Sequence, residues 1–181
     1  RDGTIVTSAV TTIDVHDLSR SARTYGVRTL YLTTPIEAQR VLVQRILSHW
    51  TEGSSARRIP SRSEALACVQ LAADLPAIIA RLGGRANVEI WVTAARADAG
   101  GAPMLTYPQA RRRLRANDGR SVLVLFGTSW GLAPSIIEGA DARLPPIVGP
   151  RDAGGYNHLS VRSACAITLD RLRGDDAGDC D

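Results

Sequence analysis

The chain contains no lysine; all 22 of its basic residues are arginine. Genomic base composition accounts for such a bias without any function. The functional reading is phosphate recognition, because guanidinium forks match phosphate oxygens. Against 18 acidic residues the net charge is +4, which permits a nucleic-acid partner without demanding one. Cysteine is scarce: Cys68, Cys165 and Cys180 are odd in number and widely spaced. They fit neither a disulfide framework nor a zinc pattern, and point to a reducing cytoplasm. His16, His49 and His158 show no metal-ligand spacing, so no metal is expected. No apolar run approaches the roughly 20 residues of a membrane span. No charged-then-apolar leader is visible, so neither membrane nor export is expected. GxGxxG and P-loop patterns are both missing. Aromatics are few, with one Phe, four Tyr and three Trp, which leaves little material for stacking bases.

What is present is ordinary for a globular protein. The 181 residues, 44% hydrophobic and 22% charged, suffice for one domain with a substantial core. Helical and extended signals alternate. Asp14 reads as a helix N-cap with Asp17 at the third position. Val15, Leu18, Ala22 and Tyr25 follow at helical spacing, and Gly26 closes the segment. "RTLYLTT" reads as a buried strand. Thr34, Pro35 and Glu37 predict a helix start with cap, proline and capping-box acid. Its apolar face is Ile36, Leu42, Val43, Ile46, Leu47 and Trp50, and Gly53 ends it. Residues 63–82 are expected to be helical, with a break near Pro76. "NVEIWVTAAR" is a second strand, and "AGGAP" a turn. Tyr107–Ala116 is an arginine-rich helix, "VLVLF" (122–126) a strand, 134–140 a short helix and "ARLPPIVGP" a short extended piece. Leu159–Arg173 is the last helix, followed by an acidic, frayed tail over 175–181. Cys68 and Cys165 fall in apolar helical patterns and read as buried thiols. The alternation implies an α/β fold on a mostly parallel sheet flanked by helices.

Parallel sheets bind ligands beyond the carboxyl ends of their strands. Three such ends carry small or hydroxyl residues: Thr93, Ala94 and Ala95; Gly127, Thr128 and Ser129; and Ile147, Val148 and Gly149. Small side chains leave room for a flat ligand, and bare backbone groups can read its edge. Plain βα turns are the competing explanation for any one of them. Helical geometry adds a polar stripe of His16, Arg20 and Arg23, at i, i+4 and i+7, suited to tracking an RNA backbone. The alternative is a solvated face with the arginines paired to Asp14 and Asp17. The run Arg111–Arg115 reads more readily as a solvated helix face than as an RNA contact. Arg57, Arg58 and Arg62 share that ambiguity. Trp50 and Trp91 read as core. Trp130 is a candidate to pack over a loop or against a partner.

The strings "LFGTSWGL", "LPPIVGP" and "YNHLSVRSACAITLDRL" resemble the second and third motifs of the SPOUT superfamily, and "TTIDVHDLSRSARTYGV" resembles its first. The resemblance runs from about Thr7 to Leu172 and implies a SPOUT-type α/β knot with a C-terminal trefoil, over residues 1–174. It implies an S-adenosylmethionine-dependent RNA methyltransferase that needs no metal, acts on RNA, with transfer RNA favoured over ribosomal RNA, and works as a homodimer joined by the final and first-motif helices. Such a knot runs against general rules of chain topology, and nothing else in the pattern suggests it. The branch resembled carries one more strand ahead of the first motif. Since the chain opens on Arg1 without methionine, a start inside a longer sequence is expected.

The resemblance also implies roles. The cofactor would be held by Leu125, Phe126, Gly127 and Thr128, by Ile147 and Gly149, by Leu159, Ser160, Val161 and Ala164, with Thr93 and Ala94 at the third strand end. Gly127 would lack a side chain because the cofactor comes close to its backbone. Arg20 stands where the ribose-methylating branch has its catalytic arginine, Asp14 where that branch has Asn, and Tyr25-Gly26 where it has Phe-Gly. Arg20 would position phosphate and assist removal of the hydroxyl proton. Ser129 and His158 replace a glutamate and an Asn, so the acceptor is a ribose 2′-oxygen or a base nitrogen. For the latter, Asp14, Asp152 or Asp170 is the nominated base. His158 is a candidate base or RNA contact, Arg23 and His16 candidate RNA contacts, and Asn157 or Ser160 a helix cap. Two rival readings are an inactive cofactor- or RNA-binding and dimerisation module within a larger protein, and a nucleotide-binding α/β regulator.

Overall fold

The structure is a computed structural model and describes residues 7–52, 58–95, 101–116, 118–150, 152, 154 and 156–174. Gly53, Arg57, Cys180 and the expected acidic tail lie outside the described residues. The chain divides into two compact units, Arg1–Ile78 and Ile79–Asp181.

Unit 1 runs α1 (Thr12–Thr24), β1 (Leu30–Thr33), α2 (Glu37–Thr51), α3 (Pro60–Leu66) and β2 (Val69–Ala72). The first helix starts three residues earlier than expected, at Thr12. Thr11 is the N-cap: its hydroxyl accepts from Asp14 N–H, and the Asp14 carboxylate accepts from Thr11 N–H at 3.0 Å. Asp14 is therefore the third residue of a capping box rather than the cap, because only a residue outside the first turn can offer its side chain to the unpaired N–H groups. Val15, Leu18 and Ala22 face inward as the periodicity required, and Ser19 is buried with them. Tyr25 is the C-cap, and Gly26 at φ 68° turns the chain away.

The α2 start also lies later than expected. Its N-cap is Ile36, without a side-chain cap, and Pro35 stands outside the helix. The Thr34 hydroxyl instead accepts from Ile36 N–H at 3.3 Å. Only Val43 and Leu47 of α2 are buried, whereas Ile36 and Leu42 are exposed.

The larger correction is at 63–82, where one expected helix is in fact α3, β2 and α4 (Leu75–Arg81), which spans the boundary between the units. A four-residue strand, Val-Gln-Leu-Ala, carries too little periodicity to be told from helix, and its parallel partner lies about 40 residues away. β1 and β2 pair from Leu30↔Val69 to Thr33↔Ala72. Cys68 consequently lies at the strand entrance, half-buried, with its carbonyl taking Leu30 N–H at 2.9 Å.

Unit 2 holds a 3-10 turn (Arg85–Asn87), β3 (Val88–Val92), α5 (Tyr107–Ala116), β4 (Ser121–Leu125), α6 (Pro134–Glu138), β5 (Ala142–Arg143) and α7 (Val161–Arg173). Its sheet has the order β4-β3-β5, all parallel. The parallel strands thus form two sheets rather than one. β3 is buried along its whole length, so it reads as an unbroken apolar run apart from Glu89. Trp91, Ala110, Ala142, Leu144 and Leu172 form the core of one face, where α5 and α7 pack. Cys165 is buried within α7. Leu159 and Ser160, expected inside α7, precede it.

Candidate functional site

Three parallel strands place their carboxyl ends along one edge of the unit 2 sheet, which brings the three candidate loops together. Thr93 N–H and hydroxyl both donate to Leu125 O, at 3.1 and 2.9 Å. Leu144 N–H donates to Val92 O at 2.9 Å. The residues following β3, β4 and β5 are therefore neighbours, as the sheet order demands. The Thr93 hydroxyl fastens two strands. Ala94, Leu125, Phe126, Gly127 and Ile147 are half-buried, and Thr128 and Gly149 are exposed.

Gly127 has a reason of its own to lack a side chain. A Cβ there would meet Gly131 C at 2.4 Å and Leu132 N at 2.5 Å. The chain turns back on itself through Ser129 (φ 53°) and Gly131 (φ 93°), closed by Gly131 N–H to Thr128 O at 3.0 Å. The turn is by itself sufficient reason for the glycine. Gly149 is the opposite case, since a Cβ there meets nothing within 4 Å. Among the described residues, the N–H groups of Ile147, Val148 and Gly149 make no backbone hydrogen bond. An uncharged edge with open backbone amides suits a flat heterocycle.

The chain before α7 reaches this edge through Asn157, whose amide donates to Ala95 O at 3.0 Å. Asn157 thus ties loops together, and capping falls to Ser160, whose hydroxyl accepts from Ser163 N–H at 3.2 Å. Leu159 is exposed, and Val161 and Ala164 on the first turn of α7 are half-buried. His158 is exposed and packs against the Tyr156 ring, with centroids 5.3 Å apart.

The first-motif residues belong to unit 1. Asp14 keeps its carboxylate on Thr11, whose hydroxyl donates to it at 2.6 Å. Arg23 is ion-paired with Glu64. His16 sets its ring edge-on to Trp50, 5.6 Å between centroids, while the Arg62 guanidinium lies 4.4 Å from the Trp50 centroid. Burial, and then the Arg62 charge, push the His16 pKa below its usual value, so the ring is neutral at neutral pH. His16 therefore brings no cation to the stripe. Arg20 is exposed and makes no ion pair among the described residues.

Sequence reasoning missed Glu89, fully buried on β3. Trp91 Nε1 donates to its carboxylate at 2.5 Å, and Arg113 Nε and Arg120 Nη2 lie at 2.9 and 3.4 Å. Arg111 donates to Arg171 O on α7 at 2.6 Å. The arginine run is thus partly an internal anchor, and a lone acid inside an apolar strand was its signal. A shallow depression of about 570 Å³ lies along α2, lined by Val41, Arg45 and His49. Among the described residues no cluster of His, Cys, Asp or Glu is placed to hold a metal, and no helix is long and apolar enough to cross a membrane.

The model of a family described as SAM-dependent RNA methyltransferase matches residues 1–174. A tRNA (guanine-N(1)-)-methyltransferase of Nitratidesulfovibrio vulgaris is 43% identical over 168 residues, covering 93% of this chain and 38% of that protein. The chain therefore spans well under half the length of this relative. An uncharacterized protein of Aquifex aeolicus is 35% identical over 181 residues, covering 95% of this chain and 82% of its own. In fold, the chain is similar to the crystal structure of TrmJ from Z. mobilis, with a TM-score of 0.57 at 18% identity, covering 88% of this chain and 62% of that one.

Proposed function

Because the chain belongs to the family of S-adenosylmethionine-dependent RNA methyltransferases, we propose that it is of the SPOUT kind and transfers a methyl group to a nucleotide of transfer RNA. The observation that carries this reading is the sheet edge: among the described residues the amides of 147–149 make no backbone hydrogen bond, a Cβ at Gly149 meets open space, and residues 126–132 and 145–150 carry no charged side chain. Such an edge fits an adenosyl group, which offers a flat, uncharged ring to backbone donors. When bound, S-adenosylmethionine supplies an electrophilic methyl on its sulfonium. We assign Ala94, Leu125, Phe126, Gly127, Thr128, Ile147, Gly149, Leu159, Ser160, Val161 and Ala164 to hold it, with Thr93 bracing the loops.

The remaining work falls to the acceptor side. A hydroxyl or ring nitrogen must be held in line and relieved of its proton. Of the stripe on α1, Arg20 alone is neither ion-paired nor packed on a ring among the described residues, and we assign it to grip the acceptor's phosphate. His158, exposed beside the donor loops, is our candidate proton acceptor, since the Asp14 carboxylate is held by Thr11. The reading extends to one methyltransferase domain over 1–174, threaded as a trefoil knot, working as a homodimer in the cytoplasm. The family match and the SPOUT resemblance support these points.

Calorimetry with S-adenosylmethionine and its demethylated product, followed by transfer of labelled methyl to bulk transfer RNA, tests the proposal. Nucleoside analysis then separates a 2′-oxygen from the guanine N1 named in the Nitratidesulfovibrio relative. Arg20→Ala is expected to slow transfer about 100-fold or more while sparing cofactor affinity. Loss of both, or of neither, overturns its role. No cofactor binding at saturation overturns the whole reading.

A further inference from the structure

We propose that Trp130 and Tyr156 form a stacking platform for the base of the acceptor nucleotide, so that the substrate segment is single-stranded or flipped out of its helix. The proposal rests on the methyltransferase reading above. The chain has eight Phe, Tyr and Trp residues. Six are buried or half-buried, while Trp130 is 71% and Tyr156 75% exposed. Both exposed rings sit on loops at the carboxyl edge of the unit 2 sheet. Trp130 rides the tight turn that packs Gly131 against Gly127. Tyr156 adjoins Asn157, which is fastened to Ala95 O beyond β3 at 3.0 Å. His158, on the other side of that fastening, packs against the Tyr156 ring with planes 59° apart. The ring thus has His158 as a neighbour, and most of its surface faces solvent.

The surroundings select the occupant. Residues 126–132, 145–150 and 156–160 contain no arginine, aspartate or glutamate; Arg96, Asp98, Arg151 and Asp152 lie in the stretches outside these windows. The segments that carry the two rings therefore present π faces, hydroxyls and backbone rather than cations. Such a surface takes the face of a nucleobase with little regard to its identity. These are also the loops assigned to the methyl donor, and an acceptor atom must come within about 3–3.5 Å of the methyl to react. A base seated beside the donor meets that demand, whereas one left inside a duplex does not. Val148 and Leu159, 66% and 47% exposed, extend the same apolar rim.

The test uses the full chain and a fluorescent single-stranded oligoribonucleotide of about eight nucleotides, alone and annealed to its complement. Binding is read by anisotropy at about 50 and 200 mM salt. The single strand is expected to bind more tightly than the duplex. Tyr156→Ala and Trp130→Ala are each expected to weaken single-strand binding about tenfold. Tyr156→Phe should hold it within twofold, because the phenolic hydroxyl is not what stacks. The salt dependence should be unchanged, since no charge is removed, and calorimetric affinity for S-adenosylmethionine should match the unaltered chain. The platform is overturned by duplex preference, by alanine variants that bind like the unaltered chain, or by parallel loss of cofactor affinity. Sedimentation showing that the same variants lose self-association overturns it too, in favour of a second copy seated on the rings. RNA binding that depends on the rings, without any methyl transfer, would keep the platform and retire the transferase reading. Methyl transfer with an unaltered KM in Tyr156→Ala would do the reverse.

Discussion

Replacing Gly127 with alanine tests why the loop after β4 has its shape. The added methyl carbon would stand 2.4 Å from Gly131 C, 2.5 Å from Leu132 N and 2.7 Å from Gly131 Cα. Relaxed carbon contacts sit at about 3.5–4.0 Å, so the turn must retreat by about 1 Å. All three obstacles are backbone atoms, and no side-chain rotation relieves them. Retreat is resisted by the Gly131-to-Thr128 hydrogen bond and by the left-handed residues Ser129 and Gly131, which leave the turn few other conformations. Overpacking of this kind costs about 1–3 kcal/mol. For a chain of this size each kcal/mol moves the melting temperature about 2–4 °C, so a fall of about 2–12 °C is expected. Gly149→Ala is the control. Its methyl meets no protein atom, so melting should move by no more than about 1 °C, in line with other benign surface changes. Its S-adenosylmethionine affinity should fall if the ligand occupies that space. Scanning calorimetry with and without cofactor reads both variants. A Gly127→Ala chain that melts like the unaltered one refutes the packing argument. A Gly149→Ala chain with undiminished affinity refutes the placement of the ligand.

Three further outcomes follow from buried groups. Glu89→Ala strips two arginines and the Trp91 N–H of their common partner, and should cost about 3–5 kcal/mol in urea unfolding. Glu89→Gln, which keeps an acceptor, should cost less, and equal losses would show that charge and hydrogen bond contribute nothing there. Burial pushes the Cys165 thiol up from 9.0 to about 11. The folded state holds that proton longer than the unfolded chain, so its stabilisation is complete below about pH 9 and lost as pH climbs toward 11. Melting temperatures across that range, compared with Cys165→Ala, check this, and parallel curves would refute it. The His16 pKa is lowered, so its folded state resists protonation; its contribution is present above pH 6.5 and lost below it. An imidazole NMR titration that finds its pKa at or above 6.5 would contradict the Trp50 packing.

Much of unit 2 was legible because its signals are local. Tyr107–Ala116 forms the expected helix, "VLVLF" the expected strand within one residue, and Ser160 the expected cap. In unit 1 the hydroxyl and acid of a capping box stand three residues apart in the sequence, yet the pattern reads Asp14 as the cap because acids and hydroxyls serve there alike. β2 was illegible for a stronger reason. Four residues, three of them apolar, continue the helical period on either side, and only pairing with β1 makes them a strand. The candidate site was legible as three uncharged strand ends. What could not be read was how its members are employed: Thr93 fastens strands, Asn157 fastens loops, and Gly127 yields to Gly131.

The amino-acid order alone determined the alternation of strand and helix, the uncharged loops beyond the strands and the motifs that place the chain in its family. Each of these is written in neighbouring residues, within reach of backbone preference and local periodicity. Tertiary structure alone decided the division of strands into two sheets and the burial of Glu89 between Arg113 and Arg120. It also decided that Arg20 stays exposed while Arg23 is paired with Glu64. Those outcomes depend on partners tens of residues away, whose approach is set by packing and desolvation rather than by any pattern along the chain.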